Sequence, residues 1–404
     1  MKISEKVKQY IVVLAVTCIA VLIYMICYAK GAEPLIVFDK DKPVDGLIMA
    51  LIENNGAVKG NILQFCRYNI QNLFMIGLGF ICKDIWTGIN IYYFITFFMI
   101  SVAMYWYLKK LEISFPVAVG IAVLTAFLPF HVNRGEGQML TSNFFLIPLY
   151  MGIMHEVIYE KITDIYHKTY IILMCLSPLI DVRGSVMILL IFGILILHRR
   201  DVKVFRCAGL YWGVLLVSTT VVGFASSAFQ SNTTMTDSIN LAKDEGLRIL
   251  DMIMPLRYHI VGRLSDLRLE YDIQFSASGE SGLNTMGILF AIGFVVGMLE
   301  LFFGKKGDKR ISWISWISIL VILIANIHGL NLLLEYLGLH LAYWNRMGAF
   351  ILVGSAAILA ILADTVKKFL QKRVGTVFTF SILAVVGILS FLELLLRQNM
   401  PKIF

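Results

Sequence analysis

Long apolar runs separated by short polar segments dominate the chain. The runs reach about 17 to 24 residues, enough to cross roughly 30 Å of hydrocarbon as helices. The pattern predicts an all-α fold, a polytopic transmembrane bundle of about eleven spans in a single domain, residues 1–404. The predicted spans are Tyr10–Tyr28, Asn90–Leu108, Phe115–Phe130, Met139–Tyr159, Tyr170–Ile180, Ser185–His198, Phe205–Ala225, Met286–Phe303, Ile311–Ile327, Met347–Ala363 and Gly375–Leu396.

Four of the apolar segments need separate interpretation. The short spans Tyr170–Ile180 and Ser185–His198 are predicted to form a helical hairpin bent at Asp181–Gly184. Asn69–Cys82 is too short for a span, so we predict an interfacial or re-entrant helix there. Tyr10–Tyr28 is interpreted as a retained first span, because no small-residue cleavage site follows it.

Composition and charge placement support this topology. Hydrophobic residues make up 58% of the chain and charged residues 15%, against about 25% charged in soluble proteins. Basic residues cluster before the first span and after the even-numbered ones, which places them on one side of the membrane. The positive-inside rule makes that side the cytoplasm, with a cytoplasmic N-terminus in a bacterial cytoplasmic membrane. The net charge of +8 is then explained by topology and lipid head groups, and no nucleic-acid partner is expected.

Most of the unusual polar chemistry falls on the opposite, extracytoplasmic side. That side receives a first loop, residues 29–89, and a long loop, residues 226–285, both expected to carry short interfacial helices. Leu247–Met254 shows apolar residues at helical spacing and is predicted to lie on the membrane surface as a helix. Chemistry on this side has no access to cytoplasmic nucleotides, so any group donor must be carried by a lipid or be extracellular.

The first loop contains three carboxylates within seven residues, Asp39, Asp41 and Asp45. Such a group can supply a general base or hold a hard divalent cation such as Mg²⁺ or Mn²⁺ through oxygen ligands. The alternative is a solvated turn in which Asp45 caps the helix that follows.

The segment His131–Gln138 separates two apolar runs, and its glycines predict a tight turn. His131, Arg134 and Glu136 can form a phosphate-binding group in this segment. The alternative is a loop whose Arg134 and Glu136 pair only with each other.

Two further candidates lie in other outer segments. Arg183 can contact the same anion, or it can simply pair with Asp181. Asn345 and Arg346 open the tenth span and can also bind it, although aromatic neighbours and a snorkelling arginine are common at membrane boundaries.

The acidic first loop, many spans and polar outer loops together resemble the GT-C class of integral-membrane glycosyltransferases. The stretch Phe127-Leu128-Pro129-Phe130-His131-Val132-Asn133-Arg134-Gly135-Glu136-Gly137 is similar to a Leu-Pro-Tyr-His-x-x-Arg-Gly-Glu-Gly-His pattern of bacterial polysaccharide-assembly transferases. The Tyr343-Trp344-Asn345-Arg346 run is similar to a later segment of that group. Gln138 departs from the pattern, in which a second histidine is expected.

The resemblance implies transfer of a sugar from a polyprenyl-phosphate donor to a cell-surface glycan on the outer face of the membrane. Asp45, or else Asp41 or Asp39, would be the catalytic base. His131, Arg134, Glu136, Arg183, Asn345 and Arg346 would bind the donor phosphate, with or without a divalent cation. Two alternatives remain open, a transporter or flippase for lipid-linked sugars and a non-catalytic subunit of a polysaccharide-assembly complex.

The predicted topology can be tested with single cysteines in a cysteine-free background. We expect Cys at Asn133, Ser278 or Gly338 to react with a membrane-impermeant thiol reagent in intact cells. Cys at Gly307 should react only after permeabilisation, because the positive-inside rule places it in the cytoplasm. Labelling at position 307 in intact cells would reverse the orientation.

Overall fold

The computed structural model describes the chain in eleven segments, and within these it is all-helical, as predicted, with no strands. The described residues are 4–29, 69–160, 167–198, 201–226, 235–256, 259, 261–275, 279–304, 307–338, 341 and 343–396. The helices are α1 Glu5–Ala29, α2 Ile70–Cys82, α3 Ile85–Lys110, α4 Phe115–Ala126, α5 Pro129–Ser142, α6 Leu146–Met154, α7 Lys168–Ile180, α8 Val182–His198, α9 Val202–Ala225, α10 Met235–Asp244, α11 Ile249–Ile253, α12 Gly262–Gln274, α13 Ile288–Phe303, α14 Lys309–Ala325, α15 Asn331–Tyr336, α16 Gly348–Val374 and α17 Thr376–Leu396.

Three shorter helical turns connect these elements. A π-helical turn, His155–Tyr159, continues α6, and 3₁₀ turns cover Gly279–Asn284 and Trp344–Met347. The side chains of Asp84 and Asp308 cap α3 and α14 by accepting bonds from the backbone amides of Thr87 and Arg310. Such caps satisfy amides that have no partner inside the helix.

Helix α16 forms the centre of the bundle. It is buried continuously from Gly348 to Ile361 and packs against α4, α13, α14 and α17. On one side, α3 packs against α1, α2, α4 and α6, while α7, α8 and α9 form a further group. Helices α1, α9 and α17 expose most of their apolar surface, as expected for helices that face lipid.

Six helical segments are long and apolar enough to cross a membrane. They are Glu5–Ile26, Trp86–Lys110, Phe115–Gly135, Val202–Ala225, Trp344–Val374 and Thr376–Leu395. The described parts of the other five predicted spans coincide with shorter helices, and the fourth is broken between α5 and α6. The count of about eleven spans and the GT-C architecture therefore stay predictions.

Several basic helix ends that the sequence places on one side also meet in the structure. Lys110 Nζ at the end of α3 lies 2.5 Å from Glu156 Oε1. Arg310 at the start of α14 donates from Nη1 to the Leu111 carbonyl, 2.5 Å away. We call the end of the bundle that carries Lys110 and Arg310 the Lys-rich end. Its assignment to the cytoplasm remains a prediction.

The predicted tight turn at His131–Gln138 is wrong, because α5 runs through this segment. Pro129 occupies the first turn of α5, where its fixed φ favours a helix and its missing amide costs nothing. Gly135 allows close packing instead of turning, since a Cβ there would lie 2.6 Å from the Tyr93 ring. The backbone leaves helical geometry only at Gln138, with φ −142° and ψ 55°.

The predicted surface helix over Leu247–Met254 is also largely wrong. Helix α11 is a short piece, and Leu247 lies before it in a parallel bridge to Asn326. The Leu247 amide donates to the Ala325 carbonyl (2.7 Å), and the Ile327 amide donates to the Leu247 carbonyl (3.1 Å). These long-range bonds override the local apolar periodicity and bury the Leu247 side chain completely.

Close packing between α13 and α16 predicts a glycine requirement at position 293. A Cβ at Gly293 would collide with the Ser355 carbonyl of α16. Gly293→Ala should therefore cost about 1–3 kcal/mol, the usual penalty for overpacking, and lower the Tm in detergent.

The matched control is Gly209→Ala in α9, where a Cβ meets no atom within 4 Å. Its Tm should be unchanged or slightly higher. Equal effects of the two substitutions would contradict the packing.

Candidate anion-binding site

Arg134 lies near the end of the bundle opposite the Lys-rich end and is almost fully buried. One helical turn before it, Phe130 places its ring centroid 4.2 Å from the guanidinium carbon. The Nη2 atom lies 3.5 Å from Asn345 Oδ1, far along the chain. Arg134 therefore links helix α5 to the 3₁₀ turn, Trp344–Met347, that precedes α16.

Asn345 is held in place by the segment after α10. Its Nδ2 donates to Glu245 Oε2 at 2.9 Å, and its backbone amide donates to the Glu245 carbonyl at 3.0 Å. A carboxylate only accepts hydrogen bonds, so this contact turns Asn345 Oδ1 toward Arg134. Gly246, the next residue after Glu245, lets this segment pass close to the backbone at Ile327, since a Cβ there would lie 2.9 Å from Ile327 Cα.

Arg346 makes its own contacts, next to those between Arg134 and Asn345. Its Nη2 donates to Gln138 Oε1 at 3.0 Å, and its guanidinium carbon lies 4.4 Å from the Tyr343 ring centroid. Gln138 sits at the backbone break inside α5. The residue that departs from the family pattern is therefore a direct partner of Arg346.

A small cleft of about 40 Å³ opens beside Arg346, between α5, α6, α8 and α16. Arg183, at the start of α8, and Asp181, just before it, line the cleft together with Arg346. The remaining lining is mostly apolar. The two guanidinium groups can contact an anionic group at the edge of this cleft, which is too small to hold a hydrocarbon chain.

Asp181 reduces the positive charge of the cleft. It accepts a bond from the Gly184 amide at 3.0 Å, and a Cβ at Gly184 would collide with its carboxylate. Burial raises the pKa of Asp181, while this bond and the charges of Arg346 and Arg183 oppose the shift. Because the pKa is raised, the carboxylate loses its charge at a higher pH than usual, and the cleft becomes more positive as pH falls.

His131 does not reach the cleft. Its Nδ1 lies 2.7 Å from the Ala126 carbonyl and its Nε2 lies 2.7 Å from Thr96 Oγ1. The ring packs against Phe97 at a centroid distance of 4.4 Å. This histidine joins α3 to α5 inside the core, in contrast to its predicted contact with a phosphate.

The predicted acids cannot be placed. Asp39, Asp41 and Asp45 lie outside the described residues, as does the side chain of Glu136. Among the residues that the structure does describe, no group of three or more His, Cys, Asp or Glu side chains is arranged to hold a metal ion. Asp181 is the one carboxylate lining the cleft and has two arginines beside it, so the described cleft does not fit a divalent cation.

Sequence reasoning missed Glu245 as part of the site. The residue stands in the long loop of residues 226–285 with no apolar periodicity to mark its burial, yet its side chain bonds with Asn345 100 residues away. The only local signal is the glycine that follows it. Of the predicted residues, the structure brings together Arg134 with Asn345, and Arg183 with Arg346.

Comparisons with protein-family models, with curated proteins and with solved structures give no match to this chain.

The contact between Glu245 and Asn345 predicts a stability effect. Glu245→Ala removes the acceptor of a fully buried amide and should cost about 1–3 kcal/mol. Glu245→Gln keeps an acceptor oxygen and should cost less. Thermal unfolding in detergent measures both changes.

Glu270→Ala serves as the matched control, because Glu270 is exposed on α12 in the same loop. It should leave the Tm unchanged. A Glu245→Ala variant as stable as Glu270→Ala would rule out the anchoring role.

Proposed function

We propose that the chain is a membrane glycosyltransferase that moves a sugar from a polyprenyl-phosphate donor to a cell-surface glycan. The observation that carries this proposal is the cleft in which Arg183 and Arg346 stand above a mostly apolar lining. Both features suit a lipid phosphate, since arginine forks bind phosphate oxygens while the tail of the lipid stays in the bilayer beside the apolar side chains. The resemblance to GT-C enzymes supplies the sugar and the reaction.

The three arginines have different roles in this proposal. Arg346 and Arg183 line the cleft and bind the donor phosphate, whereas Arg134 is buried beside it and positions Asn345 next to Arg346. As the glycosidic bond breaks, negative charge grows on the lipid phosphate. Guanidinium groups fixed beforehand stabilise that charge without reorganisation.

The reaction is a displacement at the anomeric carbon. The acceptor hydroxyl oxygen forms a bond to this carbon while the bond to the phosphate oxygen breaks, and the lipid phosphate leaves with the electron pair. A carboxylate of the first loop, Asp45 or else Asp41 or Asp39, takes the hydroxyl proton. Since the described cleft residues do not fit a divalent cation, no step is assigned to one.

We expect Arg346→Lys to raise the KM for the lipid donor much more than the KM for the acceptor. Lysine keeps the charge but loses the bidentate fork, so the donor phosphate is bound less well. The assay uses the full chain in vesicles with a radiolabelled polyprenyl-phosphate sugar. Arg263→Lys, an exposed arginine on α12, should change neither KM.

The base is tested in the same assay. Asp45→Asn should abolish transfer without affecting membrane insertion, because the amide keeps the shape and loses the base. Full activity in all three single Asp→Asn variants and in the triple variant would rule out a first-loop aspartate as the catalytic base. A wild-type chain that moves the lipid-linked sugar across the vesicle, but never transfers the sugar, would make it a transporter.

A further inference from the structure

A second feature of the bundle, separate from the arginine cleft, is a groove bounded mainly by α1, α4 and α17. Its volume is about 480 Å³, and every residue lining it is apolar. Along α17 the lining runs from Phe380 to Phe391, which at 1.5 Å per residue is roughly 16 Å. That length is about half of the roughly 30 Å hydrocarbon layer, the depth of one leaflet. The groove therefore fits one acyl chain.

The Lys-rich end of this groove is positively charged. Lys367 Nζ lies 5.8 Å from the centroid of the Phe380 ring, which lines the groove, and donates to Ser114 Oγ at 2.8 Å. Asp364 offsets part of the charge, with Lys368 Nζ 2.8 Å and Lys367 Nζ 4.0 Å from its carboxylate. Two lysines and one aspartate leave a net positive charge.

Two helix N-termini add to this charge. Helix α4 begins after Ser114, whose side chain makes no cap bond, and α17 begins at Thr376 just after α16 ends. Both helices line the groove, and both begin near Lys367, which bonds with Ser114 and lies close to the Phe380 ring one turn into α17. Helix N-termini carry a partial positive charge and bind phosphate oxygens.

A carboxylate beside a histidine lies at the other end of the groove. Near Phe391 and Leu289, Glu393 Oε1 accepts a bond from the Ile288 amide at 3.1 Å and lies 3.4 Å from His259 Nε2. The C-termini of α4 and α17 lie toward this end as well. A lipid phosphate would meet a carboxylate here, so the charge distribution fixes the direction of an anionic lipid in the groove.

We propose that the groove binds one acyl chain of an anionic phospholipid from the leaflet at the Lys-rich end. The phosphate lies beside Lys367, Lys368 and the start of α4, and the chain extends toward Phe391. The bound lipid fills the space between the peripheral helices α1 and α17 and stabilises them against the bundle. This site stands apart from the cleft of Arg183 and Arg346 and does not depend on the proposed transferase activity.

The head group, and not the tail, sets the selectivity. Bilayer tails are as apolar as the groove, so exchanging one for the other changes the free energy little. A basic residue near an anionic lipid surface contributes about 1 kcal/mol. Loss of one lysine should therefore reduce the preference for an anionic lipid roughly fivefold.

The experiment uses the full chain, delipidated in detergent and returned to vesicles of dioleoylphosphatidylcholine with or without dioleoylphosphatidylglycerol. We expect phosphatidylglycerol to raise the Tm more than phosphatidylcholine does, and native mass spectrometry to find it bound to the protein. Lys367→Gln should lose about fivefold in this preference, while it still folds.

Filling the groove gives the second arm. A Cβ at Gly120 or at Gly387 meets no atom within 4 Å, and both residues line the groove. Gly120→Phe should therefore abolish the bound lipid and the Tm increase, and Gly387→Leu should do the same if Gly120→Phe does not fold. Gly213→Phe is the matched control, because it has open space on α9 outside the groove and should keep the bound lipid.

Three outcomes would overturn the proposal. One is equal stabilisation by the two phospholipids. Another is retention of the Tm increase in both groove-filling variants. The third is a groove that takes polyprenyl phosphate but not phosphatidylglycerol, which would make it a donor site. The first two outcomes do not bear on sugar transfer, which is measured separately.

Discussion

The burial of polar side chains at the end of an apolar bundle constrains the arrangement around the candidate site. Arg134, Asn345 and Glu245 are all buried there. A buried charge or amide without hydrogen bonds costs several kcal/mol, so the contacts among these three side chains offset part of the cost of burying them. Their contacts link α5, the turn before α16 and the segment after α10.

This constraint explains why the neighbouring cleft keeps its shape. Arg346 follows Asn345 directly, so the bonds that fix Asn345 also fix the start of α16, from which Arg346 reaches Gln138. A binding group held by such supporting contacts needs little reorganisation when an anion arrives. The buried arginine therefore supports the site, while the two arginines that line the cleft stand where a ligand can reach them.

Charged side chains collect at the two ends of the bundle. One end collects lysines such as Lys110 and Lys367, and the other carries Arg134 and Arg346 together with Asp181 and Glu245. Between them the central helix α16 is continuously buried. The two sites proposed for a lipid phosphate lie at opposite ends of the bundle, and they differ in the cation, lysine at one end and arginine at the other, that would contact the phosphate.

The sequence by itself determined the all-helical class, the positions of the long apolar helices and the grouping of basic residues at one end. These follow from apolar run length and from charge placement, which are local properties of the chain. It also pointed to Arg134, Arg183 and Arg346, because charged groups at the ends of apolar runs are costly unless they are used, and to Asn345 as the neighbour of Arg346.

Only the tertiary structure decided which of these residues meet and which are buried. His131 lies in the core because Thr96 and the Ala126 carbonyl satisfy its ring, and no sequence pattern marks that pairing. Leu247 lies outside a helix, in contrast to the prediction, because its backbone forms hydrogen bonds with groups 78 or more residues away along the chain. Glu245 is likewise part of the site because it bonds with Asn345, a residue far along the chain. Such contacts depend on the relative placement of distant segments, which local periodicity does not encode.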